Sequence, residues 1–295
     1  MSNQSLKPTI LVTGANGQLG SELNIISAYE PFHFVFTDID ELDLTDAAKV
    51  NSFFNTNRFD YCINCAAYTA VDKAEKNVEA ARSINVDAVQ NLAEACTINS
   101  TVLIQISTDF VFRGNSFLPL NEDSKPDPIS TYGFTKLEGE NIALKTNVRS
   151  LVIRTSWLYS SFGNNFVKTM LRLGKEREEI GVVFDQIGTP TYAGDLAKAI
   201  IEIIKNPDRY DFENRNGLFH YSNEGVASWY DFAQAIFDLK SIEVNLKPLK
   251  TSQFPLPAKR PAFSVLDKSK IKSTFNIKIP YWRDSLKQCL ELIDS

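Results

Sequence analysis

Thr9-Ile10-Leu11-Val12-Thr13-Gly14-Ala15-Asn16-Gly17-Gln18-Leu19-Gly20 runs from a short apolar, β-rich stretch through a glycine-rich turn into a helical pattern. A turn of this kind lets backbone approach a pyrophosphate, and the N–H groups that open the following helix favour its negative charge. The spacing is GxxGxxG rather than GxGxxG, yet it stands where a dinucleotide needs it, directly after a strand and before a helix. Gly14, Asn16, Gly17, Gln18 and Leu19 are therefore expected against a nucleotide cofactor.

The next apolar run, HFVFTD, ends at Thr37-Asp38, about 20 residues beyond the glycines, where an acid can bond the adenosine ribose 2′-hydroxyl. A carboxylate there repels a 2′-phosphate, so Asp38 favours NADH on charge. One residue leaves both NADPH and NADH as candidates. Asp43 and Leu44, in the following LDLTD, are expected near the adenine.

Outward from this unit the pattern repeats. TILVT, HFVFTD, DYCINCA, TVLIQIS and RSLVIRTSW are apolar almost throughout, as strands covered on both faces are. Between them lie helical stretches at LGSELNIISAY and DAAKVNSFFN, a long one from Val78 to Asn99, and one from Thr131 to Lys145. The alternation predicts an α/β fold, a Rossmann-type doubly wound parallel sheet. After Trp157 the chain turns to glycine and asparagine loops and a proline-rich stretch, KPLKTSQFPLPAKRP. Residues 1–157 are read as the dinucleotide-binding domain, with later segments contributing to it. Residues 158–295 are read mostly as a smaller C-terminal substrate-binding lobe.

Tyr132-Gly133-Phe134-Thr135-Lys136 places a tyrosine and a lysine four apart, on one face of a helix. A free phenol has a pKa of about 10, too high for efficient proton transfer at neutral pH. A neighbouring ammonium is expected to lower it. One strand earlier, Ser107 and Thr108 end TVLIQIST, at the carboxyl edge where doubly wound sheets bind ligands. Thr108, Tyr132 and Lys136 are the expected catalytic set, with Ser107, Tyr132 and Lys136 also touching the cofactor. Together with the glycine turn they describe hydride transfer between a nicotinamide and a polar carbonyl compound.

Composition narrows the alternatives. The 295-residue chain has a net charge of −5 and no basic stripe, which argues against a nucleic-acid partner. No apolar run reaches the roughly 18 residues needed to span a bilayer. The N-terminus carries no leader pattern, so a cytoplasmic protein is expected. Four cysteines are too few for a disulfide framework, and the CxxC of Cys62 and Cys65 sits in an apolar strand whose residues three apart face opposite ways. The two histidines, His33 and His220, do not suggest a metal site.

The stretches TGANGQLGSEL, NCAAYTAVDKAE, INVDAVQNLAEA, STDFVFRG, STYGFTKLEGE, RTSWLYSSFGNNFVKTM, DQIGTPTYAGDLA and KRPAFSVLDKSK resemble the dTDP-4-dehydrorhamnose reductases, a branch of the extended short-chain dehydrogenases. The resemblance runs from the first strand nearly to the C-terminus. It implies reduction of dTDP-4-dehydro-β-L-rhamnose to dTDP-β-L-rhamnose by NAD(P)H, by a monomer or homodimer. It also implies that Cys65, Ala66, Ala67 and Tyr68 line the cofactor side, and Thr69, Val71, Asp72, Trp157, Asn165 and Arg260 the substrate side with Thr108. Arginine offers a fork for a diphosphate, and tryptophan an apolar wall for a sugar.

Phe110 and Thr135 stand where the family commonly has tyrosine and serine; neither removes chemistry. Some members bind magnesium through acidic residues at a dimer contact. Here Glu22 is available, but Ala193-Gly194-Asp195 is only partly acidic, so magnesium is not carried over. Two other readings exist. One is another sugar-nucleotide enzyme on this fold, a dehydratase, epimerase or reductase; a dehydratase uses Thr-Asp-Glu, whereas Thr108-Asp109-Phe110 lacks the base. The chain also resembles the regulatory subunit of methionine adenosyltransferase, a non-catalytic partner, which the intact Thr108, Tyr132 and Lys136 disfavour.

Overall fold

In a computed structural model that describes residues 7–213 and 215–294, each apolar run becomes a strand. The first six residues, part of the stretch read as lacking a leader, lie outside the described residues. The chain opens with β1 (Thr9–Thr13), α1 (Gln18–Ser27), β2 (His33–Thr37), α2 (Ala47–Thr56) and β3 (Tyr61–Asn64). Short helices α3 (Val71–Ala74) and α4 (Val78–Arg82) lead through a π-helical turn at Ser83–Asp87 into α5 (Ala88–Ile98). β4 (Val102–Thr108), α6 (Thr131–Thr146) and β5 (Ser150–Thr155) follow. Then come β6 (Leu158–Tyr159), α7 (Phe166–Glu176), β7 (Glu179–Val183), β8 (Ile187–Gly188), β9 (Thr191–Tyr192) and α8 (Ala193–Lys205). The remaining elements are β10 (Gly217–His220), β11 (Ala227–Ser228), α9 (Trp229–Lys240), β12 (Asn245–Leu249), α10 (Ser269–Phe275) and α11 (Trp282–Asp294).

Six parallel strands form one sheet in the order β10-β5-β4-β3-β1-β2. The order reverses between β1 and β3, and the crevice at the strands' carboxyl ends there is where such sheets bind ligands. Alternate residues feed two cores. Ile10, Val12, Ile63, Ile104 and Ile153 face one side, packed with α8 and α10, while Leu11, Cys62, Leu103 and Val152 face the other with α2 and α5. A third apolar cluster joins α7, α9 and α11 around Tyr159 and Phe232, in the second half of the chain. The last strand of the main sheet, β10, also comes from that half, as does α8, which packs along α1.

Local chemistry sets the helix starts. The Asp46 carboxylate accepts from the Ala48 and Lys49 N–H groups, and the Ser130 hydroxyl from that of Gly133. The helix expected over 78–99 is instead two α-helices around the π turn. There the Asn85 side chain accepts from the Tyr68 N–H and donates to the Tyr68 carbonyl and the Thr135 hydroxyl, so the extra residue in the turn supports neighbouring backbone. The four cysteines are free thiols.

Candidate active site

The glycine turn is pressed against the end of β3. Gly14 has φ +64°, and a Cβ there would lie 2.6 Å from the Ala66 nitrogen. A Cβ on Gly20 would lie 2.5 Å from the Gly14 carbonyl oxygen, so α1 starts against the turn itself. Thr13 donates to Asn64 (2.7 Å), which donates on to Gln105 (2.7 Å), tying the carboxyl ends of β1, β3 and β4 together. No side chain caps α1, which leaves its first N–H groups for an anion. The cavity in front measures about 390 Å³ and is lined by Gly14, Asn16, Gly17, Asp38, Asp43, Leu44, Cys65, Ala66 and Ala67 among others. No lysine or arginine lines it. Asp38 accepts the Asn16 N–H at 2.8 Å. These walls fit a dinucleotide: the close approach of Gly14 to the Ala66 backbone leaves the turn's N–H groups and the uncapped start of α1 facing a cavity with Asp38 at its side.

A second cavity of about 560 Å³ begins where the first ends, with Gly17, Cys65 and Ala67 shared between them. Gln18, Leu19, Thr69, Val71, Ser107, Thr108, Tyr132, Lys136, Trp157, Asn165 and Arg260 all line it. Tyr132 is buried, edge-on to Phe110 with ring centroids 5.5 Å apart. Burial pushes its hydroxyl up to about 12, against a lowering by the hydrogen bond with Thr108. The expected lowering by the lysine is therefore corrected: burial raises the hydroxyl, Lys136 is not among the groups that lower it, and the Lys136 ammonium donates instead to the Ile106 carbonyl at 2.7 Å. Burial pulls Lys136 down to about 8, opposed first by the Glu140 carboxylate. Ser107 donates to Glu140 at 2.5 Å. Asp109 is buried, and desolvation raises it to about 6, against lowering by the Ser264 and Thr108 hydroxyls.

On the far side Trp157 adopts φ +47°, the left-handed region that non-glycine residues rarely occupy. Its indole lies flat on Trp229, centroids 3.7 Å apart and planes 7° from parallel, and a Cβ on Gly188 would sit 2.7 Å from the same ring. Three sequence expectations change here. Arg260 does not hold an open fork: it grips Asp72 with both arms, at 2.6 and 3.2 Å, and also donates to the Ala258 carbonyl. Asp72 thereby faces Arg260 and the Ala258 N–H and does not line the cavity. Tyr68 lines neither cavity; it packs with Tyr132, Ala74 and Ala81. Asn165 reaches the wall, but its amide caps α7 and donates to Gln18 and Ser160.

Glu22 is buried, accepting from Ser160 and Tyr192, and Asp195 accepts from Asn223 and Ser285. Among the described residues no group of three acidic, histidine or cysteine side chains is gathered for a metal. Sequence reading missed Trp229 and Glu140. Glu140 was signalled by its place one turn beyond Lys136; nothing in the sequence marked Trp229 beyond the Ser228–Asp231 capping box that opens its helix.

A family model described as the RmlD substrate binding domain matches residues 8–295. The dTDP-4-dehydrorhamnose reductase of Aggregatibacter actinomycetemcomitans is 41% identical over 286 residues, covering 94% of this chain and 97% of its own. A crystal structure of a dTDP-4-dehydrorhamnose reductase from Clostridium acetobutylicum superposes with a TM-score of 0.92 at 42% identity, covering 97% of this chain and 100% of its own. One from Bacillus anthracis, in complex with NADP, gives 0.91 at 38%, covering 97% and 99%.

Proposed function

The chain belongs to the dTDP-4-dehydrorhamnose reductase family, and on that premise we propose that it reduces dTDP-4-dehydro-β-L-rhamnose to dTDP-β-L-rhamnose with NADH or NADPH. The observation that carries this reading is the gathering of Thr108, Tyr132 and Lys136 on the lining of the larger cavity, which shares Gly17, Cys65 and Ala67 with the glycine-turn cavity.

The glycine turn, the first turn of α1 and Asp38 would hold the dinucleotide, which when bound supplies a hydride to the sugar's C4. The chain's own residues handle the proton. Tyr132, protonated at neutral pH, gives its proton to the oxygen left at C4. Thr108 holds that oxygen against the phenol. Lys136 steadies the phenolate that results, a role that requires the ammonium form. Phe110 keeps water from the phenol and, lacking a carboxylate, gives no base for an elimination. Trp157 offers the sugar an apolar face. Arg260 lines the same cavity with its charge balanced by Asp72, so a diphosphate would have to displace part of that pair to bind it. Residues 1–157 would seat the dinucleotide and most of 158–295 the sugar nucleotide. The same reading has the enzyme working in the cytoplasm as a monomer or homodimer, without nucleic acid.

The test is the loss of reduced-nicotinamide absorbance when dTDP-4-dehydro-β-L-rhamnose is generated in the same tube by the preceding epimerase. Sugar-dependent oxidation of NADH or NADPH supports the reading. Cofactor binding without oxidation favours the regulatory-partner alternative instead.

A further inference from the structure

Tyr132, Lys136 and Glu140 follow one another at intervals of four, which places them on one face of α6. The third member has no part in the proton transfer described above, yet it is as buried as the other two, at 2% exposure. Its carboxylate is fully engaged. One oxygen accepts from the Ser107 hydroxyl at 2.5 Å and from Arg154 Nε at 2.9 Å, and the other accepts from Arg154 Nη2 at 2.7 Å. Ser107 lies between Ile106, whose carbonyl receives the Lys136 ammonium, and Thr108, which lines the same cavity as Tyr132. Three elements thus meet on one carboxylate: the catalytic end of β4, the catalytic helix α6, and β5.

We propose that Glu140 is a positioning residue of the reaction, which locks the strand end bearing Thr108 to the helix bearing Tyr132 and supplies the negative charge that keeps the buried Lys136 in its ammonium form. The surrounding groups leave this task to Glu140. From β5, Arg154 is a second buried cation, packed over the Phe112 ring at 5.0 Å. From β10, His220 is neutral, since burial and Arg154 pull it down to about 3. The Cys65 thiol, from the segment after β3, is pushed up by burial and stays uncharged at neutral pH. Asp109 is next to Thr108 and acts on Tyr132 rather than on Lys136. Asp267, Lys270 and Glu122 gather on the far side of His220. Glu140 is therefore one anion between two buried cations. Without it, Lys136 keeps the Ile106 carbonyl but loses the anion that most opposes its burial, and a buried amine in that position sheds its proton.

A purely structural ion pair would behave differently. Buried pairs are often replaceable by apolar residues without loss of stability, whereas deleting one partner strands the other. Glu140→Gln alone would strand Arg154, so the informative variant is Glu140→Gln with Arg154→Met, which removes both charges. Two readouts apply: the titration midpoint of Lys136 by NMR of lysine-labelled protein, assigned with Lys136→Met, and the pH profile of kcat/KM. The double variant is expected to fold, to lower the Lys136 midpoint by about one pH unit, and to lose about tenfold in activity on the alkaline side. Glu140→Asp, which keeps the charge but draws the carboxylate back by one methylene, should hold the midpoint and still lose kcat. A folded double variant with the parental midpoint and pH profile would overturn the proposal, as would full kcat in Glu140→Asp. The kinetic arm rests on the reductase reading, but the midpoint does not. An inactive parent with a shifted midpoint would sink that reading alone.

Discussion

The Tyr132 hydroxyl carries its proton throughout the neutral range, because burial raises it to about 12. Reduction needs that form, a proton held ready for the oxygen at C4. Tyr132→Phe is expected to cut kcat by about 10²–10⁴-fold while cofactor binding, followed by fluorescence titration, stays unchanged. Equal turnover in mutant and parent would remove Tyr132 from this role. Lys136 works in the opposite protonation sense. Its value of about 8 means that it loses charge as pH rises, so kcat/KM should fall above roughly pH 8. Asp38 belongs to this scale too. With no cation lining its cavity, Asp38→Asn should shift the NADH-to-NADPH rate ratio toward NADPH by about tenfold, the weight of one nearby partly solvated charge. That Thr108, Tyr132 and Lys136 share one cavity was legible in the sequence, from a strand's carboxyl end and a fourfold interval on the next helix. Burial is not written in a motif, so the direction of the tyrosine's shift came out wrong. Nor could Asp72 and Arg260 be matched, because they are 188 positions apart and only the folded loops bring them together.

Before Trp157, the five strands and three of the four helical stretches were readable within a residue or two, because a two-sided sheet demands unbroken apolar runs and amphipathic stretches fill the gaps. The interval 78–99 was not. Its helical pattern continues across Ser83–Asp87, yet the backbone takes a π turn there to present Asn85 to Tyr68 and Thr135. What fixes it is close contact with α6: a Cβ on Gly139 would fall inside the contact distance of the Asn85 carbonyl oxygen. Gly139→Ala should therefore cost about 1–3 kcal/mol of stability despite the better helix propensity of alanine. Denaturant melts measure this. A stabilised variant would show that the two helices have slack between them.

Across the whole molecule, β10 closes the main sheet from the second half of the chain and brings His220 into its interior. Its folded-state pKa lies near 3 against 6.5 for the free side chain. The unfolded chain thus binds the extra proton between those values, and folding stability is lost as pH falls from about 6.5 toward 3. The raised carboxyls of Asp109, Glu22 and Glu122 act in the opposite sense, gaining stability as they protonate in acid. The difference between parent and His220→Leu in urea melts over this range isolates the histidine, with several kcal/mol expected at the acid end. Parallel pH dependences would mean that His220 titrates in the fold as it does in the unfolded chain. That a late segment enters the early sheet was foreseen only in outline, because no motif marks GLFH as its partner.

The stacked indoles of Trp157 and Trp229 have a use beyond the wall they form. The chain has three tryptophans, and the third, Trp282, is buried against Phe232 away from the cavity. Two parallel chromophores 3.7 Å apart share their excitation, which gives a coupled pair of bands in near-ultraviolet circular dichroism. On the proposed reading, a sugar nucleotide settling against Trp157 would disturb that coupling without touching the nicotinamide absorbance. The indole pair would then serve as an unlabelled optical gauge of that ligand, with occupancy and turnover followed in a single cuvette.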